Sequence, residues 1–72
     1  MMTVGERIIN LRNKYGMSQS QLADKSGVAI STISSIENTQ RVPGLKVATK
    51  IAKVFNLHAE DLLTKDDSTL VS

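Results

Sequence analysis

The 72-residue sequence contains no cysteine, one histidine and one proline. Without cysteine there are no disulfide staples and no thiolate metal sites, a usage that suits a reducing compartment. One histidine cannot supply the ligand set of a zinc site, so no metal or other cofactor is expected, and His58 reads as a surface or capping residue. No apolar run approaches the roughly 18 residues needed to cross a bilayer, and the N-terminus lacks the apolar core of a signal peptide. These absences predict a cytoplasmic protein with no membrane partner. The parts of an enzyme are missing as well. The serines have no nearby histidine base, no paired carboxylates occupy a plausible cleft, and no glycine loop is present to cradle phosphate.

What is present is a short chain with an uneven charge. A chain of this length forms one domain and buries only about 60% of its unfolded surface. Net charge is +2, but residues 1–57 hold eight Lys/Arg against three Asp/Glu, a net +5, while residues 58–72 hold one lysine against four acids, a net −3. A basic body with an acidic end fits a polyanionic partner for the body, although an ordinary solvated surface would carry the same charges.

The hydrophobic pattern is helical throughout, with no strand alternation, internal repeats or low-complexity tracts. Thr3 and Glu6 form a T-x-x-E capping box, followed by Val4, Ile8, Leu11 and Tyr15 at helical spacing, with Gly16 as the stop. Ser18 and Gln21 form a second box, Met17 and Leu22 are spaced as a hydrophobic staple, and Gly27 ends this short second helix. A third helix is predicted over Ile30–Asn38. It carries Ala29, Ile33 and Ile36 on one side and Ser31, Ser34, Ser35 and Asn38 on the other, with Ile30 flanking the polar side. After a polar connection from Thr39 to Gly44 comes a core helix, about Leu45–Phe55, with Leu45, Ala48, Ile51, Ala52 and Phe55 on its broad apolar face. Asn56 is a plausible left-handed stop, and a fifth helix covers Ala59–Leu63. The expected organisation is an all-α five-helix bundle over residues 1–63, followed by a flexible acidic tail over 64–72.

The informative unit is the pair of short helices joined by a glycine turn: SQSQLADKS, then GVA, then ISTISSIEN. Ala23 is small where two helices cross closely, and Gly27 supplies the turn. Val28, Ile33 and Ile36 pin the second helix of the pair and leave its opposite face bare, as in a helix-turn-helix that presents a recognition helix to the major groove. From Gln19 to Leu63 the chain resembles the Cro/repressor-type helix-turn-helix family of small DNA-binding regulators. Gln19, Leu22, Ala23, Gly27, Val28, Ile33, Ser34, Glu37, Pro43, Ile51, Ala52, Leu62 and Leu63 match the family pattern in register. The chain departs from it at Ala29, where a Ser or Thr cap is usual, at Thr39, where glycine is usual, and at Gly44, where serine is frequent.

The resemblance implies a lambda-repressor-like bundle with the helix-turn-helix in helices 2 and 3, and it assigns roles. Ile30, Ser31 and Ser35 take the base-reading positions. An apolar Ile30 can pack on a thymine methyl in the major groove, or it can fold back onto the second helix or a partner subunit. Gln19 takes a phosphate contact, and Ser34, Asn38, Gln40, Arg41 and Lys46 are further backbone candidates. Arg12 is expected to pair structurally with Glu37, which would otherwise repel DNA. A nine-residue recognition helix reads only a few base pairs, so a homodimer on an inverted repeat of double-stranded DNA is expected. Leu57, Leu62 and Leu63, with Leu70 and Val71, are candidate interface residues that can equally close the monomer core. The functional expectation is a sequence-specific, nucleoid-associated transcriptional regulator. The alternative is a protein-interaction module, such as an antitoxin or bridging factor, in which the same fold binds a regulatory protein partner.

Overall fold

The computed structural model describes residues 3–39 and 41–63, and every regular element among them is helical. The order is α1 (Val4–Lys14), α2 (Gln19–Ser26), α3 (Ile30–Thr39), α4 (Leu45–Val54) and α5 (Ala59–Leu63). The expected tail, with Leu70 and Val71, lies outside the described residues, as does Gln40.

Two helix starts are set by reciprocal caps. Thr3 Oγ1 accepts from the Glu6 amide at 3.1 Å, and the Glu6 carboxylate accepts from the Thr3 amide at 3.0 Å. Ser18 and Gln21 repeat the exchange at 3.0 and 2.8 Å. Each box satisfies donors that a helix start otherwise leaves open. No such cap opens α3. Its first turn hangs on the Ala29 carbonyl, which accepts from the Thr32 and Ile33 amides at 3.0 and 3.2 Å, and an alanine has no oxygen to offer the remaining donors. Gly44, before α4, makes no side-chain cap either.

The turn between α2 and α3 rests on Gly27, whose φ of 75° is left-handed and whose amide donates to Ala23 O at 2.9 Å. A side chain is strained in that conformation, which is why glycine stands there. Asn56, at φ 60°, makes the expected left-handed stop after α4. Phe55 caps α4 instead of extending it, and α3 runs one residue further than predicted, to Thr39.

The core gathers Ile8, Leu22, Ile33, Ile36, Ile51 and Leu62, all essentially fully buried, with Val28, Ala52 and Phe55. α3 packs on α1 and α2, while α4 packs on α2 and α5, and α5 returns to α1. Met17 packs against the cluster that holds Leu22, consistent with a staple. Two apolar residues expected on core faces are not in the core. Tyr15 follows the end of α1 and is half-exposed, stacking on Phe55 with ring centroids 5.5 Å apart. Leu45, the first residue of α4, is 68% exposed. α1 approaches α3 very closely at Gly5, where an added Cβ would overlap the Ile36 carbonyl oxygen.

Candidate nucleic-acid interface

α3 has two unlike sides. Ile33 and Ile36 are locked into the core at 0 and 1% exposure. On the opposite side Ser31 and Asn38 are exposed, Ser34 and Ser35 are half-buried, and Ile30 is 47% exposed. Ile30 lines a shallow hollow together with Ser20, Gln21, Ala23, Asp24, Val28 and Ala29. Its side chain thus borders α2 while keeping about half its surface open to whatever α3 meets.

The polar residues on this side are preorganised along the helix. Asn38 Nδ2 donates to Ser34 Oγ at 3.1 Å, and Thr39 Oγ1 donates to the Ser35 carbonyl. A hydroxyl that accepts from an amide keeps its own proton for another acceptor, so Ser34 retains a donor. Phosphate oxygens only accept, which matches that polarity.

Glu37 is the one buried charged side chain among the described residues. Arg12 meets it in a two-pronged ion pair, Nε to Oε2 at 2.8 Å and Nη2 to Oε1 at 2.9 Å, with side-chain exposures of 13 and 3%. Arg12 Nη1 also donates to the Met17 carbonyl at 3.0 Å. The fork geometry fixes α1 to α3 and to the turn before α2, and it cancels the only carboxylate in α3. Gln19 joins the same group: its Nε2 donates to Glu37 Oε1 at 2.8 Å. That link, between residues 18 positions apart, had no signal in the sequence. It leaves Gln19 with one amide proton and its carbonyl oxygen for an outside partner.

Arg41 and Lys46, on either side of the α3–α4 connection, are exposed. Among the candidate interface leucines, Leu62 is 0% exposed and belongs wholly to the monomer core, so it cannot meet a partner. Leu57 packs partly on that core, and Leu63 is half-buried. Among the described residues no group of His, Asp and Glu is placed to hold a metal, and no helix is long and apolar enough to cross a membrane.

A helix-turn-helix family model matches residues 8–62. A helix-turn-helix transcriptional regulator from Archaeoglobus fulgidus is 48% identical over 64 residues, covering 89% of this chain and 91% of that protein. The solved N-terminal DNA-binding domain of SinR from Bacillus subtilis superposes with a TM-score of 0.81 at 35% identity, covering 89% of this chain and 94% of that one. A chain of the solved complex of SinR with SinI gives a TM-score of 0.80 at 36% identity, covering 92% of this chain and 65% of that one.

Proposed function

The chain belongs to the helix-turn-helix family of DNA-binding transcriptional regulators, and we propose that it acts as a homodimer reading an inverted repeat with α3 in the major groove. One observation carries this reading: the outer side of α3 offers Ile30, Ser31 and Ser35 with no core duty and no free negative charge, because Arg12 neutralises Glu37. Ile30 contacts a thymine methyl, and the serine hydroxyls read base edges directly or through water. Gln19, Ser34, Asn38, Arg41 and Lys46 hold the backbone, and Gln40 extends that set. The ten residues of α3 span about 15 Å, enough for a few base pairs. Specificity therefore comes from two copies with half-sites about 34 Å apart. The protein works by binding, without catalysis, in the cytoplasm where the chromosome lies.

A second reading draws on the solved complex of SinR with SinI: the chain also takes a regulatory protein partner. A stable hetero-complex, together with DNA binding insensitive to Ser31 and Ser35 substitution, would favour that reading.

The test is salt dependence. Arg41→Ala and Lys46→Ala each weaken binding to every duplex and reduce the slope of log affinity against log salt by about 0.9. An unchanged slope in both variants would contradict their phosphate roles.

A further inference from the structure

Asp24 is the one charged residue among those lining the hollow shared by α2 and α3, and neither the core nor the proposed DNA contacts use it. It stands four residues after Ser20, so the two share the side of α2 opposite buried Leu22. Asp24 is exposed and makes no hydrogen bond or ion pair among the described residues. Lys25, the next residue, lies about 100° away around the helix. The hollow holds about 500 Å³, and most of its other lining is apolar: Ala23, Val28, Ala29 and Ile30. Of the polar remainder, Gln21 already accepts from the Ser18 amide with its side-chain oxygen. A lone carboxylate thus shares a largely apolar recess with the first residue of α3.

We propose that Asp24 is a base-reading residue, and that its carboxylate accepts a hydrogen bond from the exocyclic amino group of a cytosine next to the base that Ile30 contacts. The proposal rests on the reading above that places α3 in the major groove. Position is the first argument. A recognition helix turns its N-terminal residues to the base edges, and Ile30 is the first residue of α3. Asp24 lines the same hollow as Ile30. Successive bases rise by about 3.4 Å along a strand, so two residues on one hollow face the same base pair or adjoining ones.

Charge is the second argument. Phosphates repel a carboxylate that faces DNA, and the chain deals with Glu37 by burying it against Arg12. Asp24 has no such partner, so on the duplex its charge is met only by a donor that the duplex supplies. The choice of base follows from the major-groove edges. Guanine offers a carboxylate only acceptors, and thymine an acceptor beside its methyl group. Adenine sets its N6 amino group next to the N7 acceptor. Cytosine alone presents an amino group with no acceptor on the same base, and its C5 edge suits the apolar part of the hollow. The thymine methyl stays with Ile30, and the cytosine amino group goes to Asp24.

The experiment is in vitro selection from random duplexes with the parent protein, Asp24→Ala, Asp24→Asn and Ile30→Ala, each checked for folding by a thermal melt. Affinities are then measured on the duplex selected by the parent, with each of the four bases at the position assigned to Asp24. The expected parent motif has a cytosine adjoining the position that Ile30→Ala alters, preferred about 10-fold over the other bases. In Asp24→Ala that preference falls to about 1, while the rest of the motif stays. Asp24→Asn, which can both donate and accept, admits adenine as well. A parent motif without that cytosine, or a cytosine preference that survives in Asp24→Ala, would overturn the proposal. So would an Asp24→Ala protein that binds every duplex more tightly with its motif unchanged, because the carboxylate would then only repel phosphate. A folded parent that selects no sequence would overturn the DNA reading itself, and this contact with it.

Discussion

Glu37 holds a negative charge within the helix proposed to face phosphates, and its neighbours determine whether that charge is tolerable. Arg12 supplies two of its hydrogen bonds and Gln19 a third. Replacing Arg12 by Met removes the counter-charge and leaves a buried carboxylate with one amide donor. Removing one partner of a buried pair costs about 3–5 kcal/mol, whereas replacing both by apolar residues of similar volume is often neutral. The expected outcome in urea denaturation is a loss of that size for Arg12→Met and recovery of most of it in Arg12→Met/Glu37→Met. A single variant within 1 kcal/mol of the parent would mean that the pair does not hold α1 to α3. The Arg12 and Glu37 roles came from a motif match, since nothing in local spacing joins residues 25 apart. The Gln19 bond stayed hidden because a glutamine opening a helix looks the same whether its amide faces solvent or a carboxylate. Leu62 was ambiguous for a similar reason: a leucine on a short helix serves core and interface equally, and only packing decides.

At the level of elements, helix type and order followed from local chemistry that the sequence carries openly. Two reciprocal caps, Gly27 and Asn56 marked boundaries to within a residue or so. What local chemistry does not carry is the distance between helices. By helix propensity alone Gly5 is a mild weakness in α1, since glycine is about 1 kcal/mol worse than alanine in a helix interior. In the structure it is the point where α1 touches the backbone of α3. The two views give opposite signs for Gly5→Ala. Helix propensity alone predicts a more stable protein. The close approach predicts that α1 must move off α3, at an overpacking cost of about 1–3 kcal/mol that exceeds the propensity gain. A lower melting temperature, by roughly 4–8 °C for each net kcal/mol in a domain of this size, is the expected result, and a higher one would show that α1 and α3 are not in tight contact. Leu45 misled the periodicity argument because a 3.6-residue repeat says which side of α4 a residue is on. It does not say whether the neighbouring helices reach its first turn.

On the scale of the whole molecule, a body of 37 × 24 × 23 Å presents a serine-rich helix whose one carboxylate is neutralised by Arg12, with Arg41 and Lys46 exposed on the segment that follows it. The charge imbalance between residues 1–57 and 58–72 pointed to a polyanionic partner, and the family membership of residues 8–62 gives that partner as DNA. The bases read depend on how α3 docks, which depends on both molecules and so is not contained in the chain. The most direct test is selection from random DNA duplexes with the purified protein at about 150 mM salt, where non-specific electrostatic binding is suppressed. The expected result is enrichment of an inverted repeat with half-sites one helical turn apart, and a selection repeated with Ile30→Ala that changes preference at one position per half-site. A folded protein that enriches no sequence would contradict it.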